Sequence, residues 1–138
     1  MEPVHIETDP KCRPVQQKCR PIPIHYKEKF REYLEELKEE GVISGLLRSD
    51  CALGWIHNVV ISQKNWDKEK IRVMLDTRPM VEAVKTSMFL IPTQSELRHS
   101  FLGVDRFRKL DMTHSFHQFA MDEESENLFV FYTPWGLY

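Results

Sequence analysis

The chain has 138 residues, of which 41% are hydrophobic and 29% charged, and its net charge is −2. This composition is typical of a soluble domain with one core, and it excludes a largely disordered chain. The longest uncharged apolar runs are about ten residues, whereas a membrane-spanning helix needs roughly 20. The N-terminus also lacks the apolar run of a secretory signal. We therefore expect an intracellular protein, cytoplasmic or nuclear, that does not enter a membrane.

The first segment, residues 1–24, is rich in proline and in basic residues. Proline removes backbone donors and holds the chain extended, so we predict an arm that is not a core element. Its basic residues are Lys11, Arg13, Lys18 and Arg20. Such a patch is suited to a phosphate backbone, and solubility is the alternative explanation.

Three cysteines, Cys12, Cys19 and Cys51, are an odd number at irregular spacing. This pattern predicts free thiols in a reducing compartment rather than a disulfide framework. A zinc site made of Cys12, Cys19 and His25 is the alternative. Its spacing matches no standard zinc pattern and supplies no fourth ligand, so we expect free thiols.

A helix and a hairpin are expected next. Phe30, Tyr33, Leu34 and Leu37 have the spacing of an amphipathic helix, which Gly41 ends. The β-branched run at 58–62 and the alternating run at 71–75 flank a polar stretch, and together they predict a β-hairpin with a basic tip. A second group of basic residues lies in and after this hairpin: Lys64, Lys68, Lys70, Arg72 and Arg78.

The second half of the chain has weaker patterns. We predict a short helix at 96–101, a strand at 107–112 and one or two helical turns at 113–119. Residues 122–126 are expected to form an acidic loop. Residues 128–132 (LFVFY) are expected to form a strand, which Pro134 and Gly136 end.

Six sequence motifs carry a resemblance to a known family: PVQQKCRPIPI, LKEEGVI, NVVISQK, IRVMLDTR, FRKLDMTHSFHQF and TPWGLY. In order and spacing they resemble the start of the reverse transcriptase of Gypsy-class LTR retrotransposons. The resemblance implies an α+β fold, the fingers and partial palm of a right-hand polymerase, truncated. It implies an extended arm at 1–24, fingers at 25–95, the start of the palm with the first catalytic motif at 96–119, and a second, truncated fingers segment at 120–138.

The resemblance implies that Asp111 is the first catalytic carboxylate. In a complete enzyme it would bind Mg²⁺ or Mn²⁺ together with the backbone carbonyl of Met112, since hard cations prefer oxygen ligands. Without its flanking motif, Asp111 would be read as a helix N-cap.

Four further residues are implied to contact the incoming nucleotide. Lys64 and Arg72 would close over the triphosphate, Phe116 would pack beneath the sugar, and Trp135 would lie near the base. The alternatives are plain surface charges for Lys64 and Arg72 and a core position for Phe116.

Three residues are implied to be structural or to lie on the template side, namely Asp76, Arg78 and Gln118. We expect Asp76 and Arg78 to form an ion pair or a backbone contact. Asp111, His114 and His117 also have the spacing of a transition-metal site on a helix. We favour the family explanation for His117, which belongs to an H-Q pair.

The sequence departs from the family pattern at Val81, where the family often has asparagine, and at Ser115, where it has glycine. It also lacks the second acidic cluster, an aromatic-x-Asp-Asp turn, and we therefore expect no polymerase activity from this chain alone. In a complete enzyme the partners would be an RNA or DNA template-primer and a dNTP. The alternatives are a non-enzymatic module that binds nucleic acid or protein, with a protein partner or self-association at the palm edge, and a decayed product.

Overall fold

The computed structural model describes residues 2–46, 54–64, 67–86 and 89–138. These form two compact units. The larger unit comprises Met1–Lys85 and Phe119–Tyr138, and the smaller unit is Thr86–Gln118. No helix among the described residues is long and apolar enough to cross a membrane.

Helix α1 (Ile24–Glu39) begins the core of the larger unit. Phe30 and Leu34, one turn apart, are buried and pack with Phe131. The helix ends in a Schellman motif, in which Gly41 has φ +70 and Val42 N donates to Leu37 O at 2.9 Å. The predicted helix and its glycine stop are confirmed.

Strands β1 (Asn58–Lys64) and β2 (Asp67–Asp76) pair in an antiparallel hairpin. Alternate side chains of the hairpin, among them Ile61 and Val73, pack against the α1 core. Val60 and Met74 point to the opposite face, because successive strand residues alternate. The predicted hairpin is confirmed. The tip residues 65 and 66, and the side chains of 64 and 67–69, lie outside the described part.

The arm, residues 2–23, is extended, as expected, but it is not separate from the core. Gln16 forms a parallel bridge with Ile56, and Thr8 an antiparallel bridge with Val84. Cys12 packs against a cluster of Trp55, Met80 and Ala83. The expectation that the arm contributes no core element was therefore wrong. The arm contributes both backbone pairing and apolar contacts to the larger unit.

Beyond the hairpin, the larger unit continues with short elements. They are α2 (Arg78–Val81), α4 (Glu123–Glu126), a 3₁₀ turn (Asn127–Phe129), β3 (Tyr132–Thr133) and β4 (Gly136–Leu137). The predicted acidic loop at 122–126 was wrong, because Asp122 caps α4 by accepting from Ser125 N at 2.8 Å. Only the end of the predicted strand at 128–132 is a strand. Leu128 and Phe129 instead pack against the Trp55 cluster, and this packing overrides their β propensity.

The smaller unit contains α3 (Gln94–Ser100) and a 3₁₀ turn (Ser115–Gln118). Both confirm predicted helical segments, and Thr93 with Glu96 forms a capping box at the start of α3. The strand predicted at 107–112 was wrong, since these residues have no regular secondary structure. A strand needs a hydrogen-bonded neighbour, and the described part of this unit contains none.

Candidate nucleic-acid interface

Asp76 and Arg78 form a two-point ion pair where β2 ends and α2 begins. Arg78 Nε donates to Asp76 Oδ1 and Nη2 donates to Oδ2, both at 2.7 Å. The Asp76 side chain is 5% exposed and that of Arg78 is 80% exposed. The hydrogen bonds from Arg78 lower the pKa of Asp76 to about 2, although burial acts in the opposite direction. The carboxylate is therefore charged, and it fixes the guanidinium at the surface.

The arm is held against this pair by side-chain amides. Gln17 Nε2 donates to the carbonyl of Asp76 at 2.9 Å, and its Oε1 accepts from Asn58 N at 3.0 Å. Asn58 Oδ1 in turn accepts from Arg20 N at 3.1 Å. Arg20 Nη2 also lies 3.9 Å from Asp76 Oδ2. This network ties the arm to the base of both hairpin strands.

An open cleft of about 640 Å³ lies between the arm and the base of the hairpin, and we call it the basic cleft. Its charged lining residues are Lys18, Arg20, Arg78 and Asp76. Three cations and one anion give a net charge of +2. Because Asp76 is already paired with Arg78, Lys18 and Arg20 supply the excess positive charge. A cleft of this charge favours anionic ligands such as phosphate groups.

The outer face of the hairpin continues from this cleft. The cross-strand pairs Asn58–Asp76, Val60–Met74 and Ser62–Arg72 all lie on that face, because strand side chains alternate. Val60 is 36% and Met74 42% exposed, so an apolar surface lies between Arg72 at one end and the basic cleft at the other. We call this surface, from Arg72 to Arg78, the outer strip.

The predicted nucleotide contacts of the larger unit differ in their surroundings. Arg72 is exposed on the outer strip. Lys64 ends β1 next to an irregularity in the register, and its side chain lies outside the described part. Trp135 lies in the turn between β3 and β4, with its ring centroid 5.8 Å from that of Phe30. Trp135 therefore has a packing role as well as an exposed edge.

The predicted residues of the smaller unit are exposed. Asp111 lies in a segment without regular secondary structure, and Met112 beside it is also exposed. Phe116 is 89% exposed, so the alternative of a core phenylalanine was wrong. Gln118 Nε2 donates to Thr113 O at 2.9 Å.

Metal-binding groups are not assembled in the part of the chain that the structure describes. No cluster of three or more His, Cys, Asp or Glu side chains there is arranged to hold an ion. The rings of His114 and His117 stack with their centroids 5.4 Å apart. Cys12 and Cys19 are free thiols, and Cys51 lies outside the described residues.

The sequence pattern identified Arg78, Asp76 and the basic residues of the arm, but it missed Gln17 and Asn58. The ion pair expected between Asp76 and Arg78 is confirmed. Gln17 had no local signal, because its role depends on the arm folding back onto residues 56–58. Asn58 had a weak sequence signal, since asparagine is disfavoured at a strand position without a specific partner.

A comparison with known proteins finds a distant similarity. No protein-family model matches the chain. The chain is 26% identical over 139 residues to a protein of Caenorhabditis elegans named "Uncharacterized protein K02A2.6". The match covers 99% of this chain and 10% of that protein. The chain thus spans about a tenth of the length of this relative, and the similarity includes both units.

Proposed function

We propose that the chain is the fingers and the start of the palm of a Gypsy-class reverse transcriptase, and that its own contribution is to bind the nucleic-acid template. The outer strip is the observation that carries this proposal. It joins an exposed apolar surface to cations at both ends, so that the bases of an unpaired strand can pack on the surface while its phosphates bind the cations. The order of the six motifs and the similarity along the whole chain support the same assignment.

The chemistry of the strip suits a single strand. A guanidinium has five N–H donors, and Asp76 uses one from Nε and one from Nη2. The remaining donors of Arg78 face solvent, where they can bind a phosphate. A base can then pack on Met74 and Val60, while Lys18 and Arg20 neutralise the next phosphates. None of these contacts requires a particular base, as a polymerase template site demands.

The catalytic role of Asp111 is proposed for the complete enzyme only. A carboxylate and the carbonyl of Met112 are the right kind of ligand for Mg²⁺ or Mn²⁺, but two ligands do not fill the coordination sphere. The described residues therefore do not by themselves make a two-metal site. We propose that the missing carboxylates lie in other parts of a longer polypeptide. Contact with a dNTP is likewise proposed for the complete enzyme only, through Lys64, Arg72, Phe116 and Trp135.

Binding of a labelled primer-template with a single-stranded RNA overhang tests this function. The variant Lys18→Gln with Arg20→Gln removes the excess charge of the basic cleft. We expect its affinity to fall about tenfold at low salt, and the slope of log affinity against log salt to decrease by about two. Fluorescence anisotropy over a salt series measures both quantities.

The matched control is Lys27→Gln with Arg31→Gln, which removes the same two charges from the exposed face of α1. Because α1 packs on the inner face of the hairpin, these residues lie away from the outer strip. We expect this control to keep its affinity within about twofold. Equal losses in the two variants, or binding that does not depend on salt, would contradict the proposal.

A protein-binding module is the second candidate function, and the apolar surface of the smaller unit favours it. Leu90 is 94% and Leu110 89% exposed. We propose that a second copy or a protein partner covers these side chains, because exposed apolar patches are common at protein interfaces. Sedimentation velocity should show association that increases with concentration and that Leu90→Glu with Leu110→Glu abolishes. The control Ile24→Glu, at an equally exposed position of α1, should still associate; a monomer at all concentrations would rule out self-association.

A further inference from the structure

The chain leaves the larger unit after Lys85 and returns to it at Phe119. The last residues before this excursion, 83–85, and the first after it, 119–122, both belong to the larger unit. We call them the outgoing and the returning crossing. Arm residues 4–9 are hydrogen-bonded to both crossings.

The contacts with the outgoing crossing use the odd-numbered residues of the arm. Asp9 N donates to Ala83 O at 2.7 Å, and Lys85 N donates to Glu7 O at 2.9 Å. The side chains of Lys85 and Glu7 add an ion pair at 3.3 Å. This side of the arm is thus an antiparallel pairing centred on Thr8 and Val84.

The contacts with the returning crossing use the even-numbered residues. Val4 N donates to Ala120 O at 2.8 Å, and Val4 O accepts from Asp122 N at 3.2 Å. Just beyond this crossing, in α4, the fully buried Ser125 accepts a hydrogen bond on its hydroxyl from Ile6 N at 2.8 Å. Backbone groups of successive residues in an extended chain point to opposite edges. The arm therefore lies between the two crossings and is hydrogen-bonded to one along each of its edges.

A charged contact lies at the returning edge. His5 Nδ1 donates to Asp122 Oδ2 at 2.5 Å, while Asp122 Oδ1 accepts from Ser125 N at 2.8 Å. The hydrogen bond to Asp122 raises the pKa of His5 above its ordinary value of 6.5, and Glu124 and Glu7 add to this effect. The hydrogen bond from Ser125 is the first cause that lowers the pKa of Asp122 to about 2.

We propose that arm residues 4–9 are a clasp that holds the outgoing and returning crossings together, with His5 as its pH-sensitive positioning residue. The clasp uses neither the basic cleft nor the outer strip, so it stands apart from the proposed template binding. Its consequence is that the arm holds in place the two points at which the chain leaves and re-enters the larger unit.

The pH dependence follows from the two shifts. His5 has a raised pKa, so its contribution is complete below 6.5 and is lost as the pH rises through the raised value. Asp122 has a lowered pKa, so its contribution is present above 3.8 and is lost as the pH falls through about 2. The clasp is therefore tightest between these limits, and it loosens as the pH rises through the raised pKa of His5.

Deletion of residues 2–9 from the full chain tests the clasp by amide hydrogen exchange. We expect the amides of Lys85 and Asp122 to lose protection, because their acceptors Glu7 O and Val4 O are removed. Amides between β1 and β2 should keep theirs. Continued protection of Lys85 and Asp122 would overturn the clasp, and so would an equal loss of protection in the hairpin.

Exchange at about pH 5.5 and about pH 8.5 tests the role of His5, with protection corrected for the intrinsic rate. In the wild type we expect protection of the clasp amides to fall about twofold to fivefold at the higher pH, as for an exposed ion pair. His5→Lys, charged at both pH values, should keep its protection, and His5→Gln should be weak at both. His25→Gln, on α1, should behave as the wild type. A pH dependence that persists in His5→Gln, or none in the wild type, would overturn it.

Discussion

The two units of this chain use apolar residues in opposite ways. In the larger unit, Phe30 and Leu34 are buried beneath the hairpin, and Trp55 and Met80 form a second buried cluster. In the smaller unit, none of the described residues is buried, and its leucines and phenylalanines are exposed. The first unit thus has a core of its own, whereas the second has apolar side chains without one.

The smaller unit is the one that further contacts would stabilise. Burial of apolar surface is the main favourable contribution to folding, so a segment that buries little has little stability of its own. The T-shaped contact between Phe101 and Phe107, with centroids 5.5 Å apart, is one local contact in the smaller unit. Its exposed residues are consistent with the proposal that further polypeptide or a partner covers them.

The largest expected effect compares two phenylalanines. Phe30→Ala removes a ring that is 0% exposed, and it should lower the free energy of unfolding by about 3–5 kcal/mol. Phe116→Ala removes an exposed ring of the smaller unit and should change that free energy by less than about 0.5 kcal/mol. Urea unfolding followed by tryptophan fluorescence measures both.

Phe30→Leu serves as a milder variant if Phe30→Ala does not fold, with an expected loss of about 1–1.5 kcal/mol. It keeps most of the apolar contact with Leu34 and Phe131. A loss of unfolding free energy from Phe116→Ala as large as that from Phe30→Ala would contradict this difference between the units. It would mean that Phe116 contributes to the same cooperative unfolding as the buried core.

Local patterns predicted the fold where sequence neighbours decide the structure. The spacing of Phe30 and Leu34, the glycine at 41 and the alternation in β1 and β2 each act within one element. The failures lie where distant residues decide. Leu128 and Phe129 pack against the Trp55 cluster, and the run at 107–112 has no strand beside it among the described residues. β propensity alone predicts neither the packing on the Trp55 cluster nor the lack of a pairing strand.

In the candidate site, too, local motifs were predictable from the sequence and long-range contacts were not. Asp76 and Arg78 are two residues apart, so their ion pair follows from a local motif. The basic residues of the arm were visible as a cluster, but their place beside Arg78 depends on the pairing of Gln16 with Ile56. The clasp around His5 is less predictable still, because its partner Asp122 is 117 residues away.

The smallest expected effect concerns two glycines with similar positive φ angles. Gly41 has φ +70 and Gly103 φ +81, and an added Cβ would meet nothing within 4 Å at either position. Alanine therefore costs only the strain of the left-handed conformation, about 1–2 kcal/mol at each site. Gly41 ends the helix that carries Phe30 and Leu34, so Gly41→Ala should lower the unfolding free energy of the larger unit by that amount. Gly103→Ala should leave it unchanged in the same urea titration, because that strain relaxes within the smaller unit. An equal loss in both variants would show that the two units unfold together.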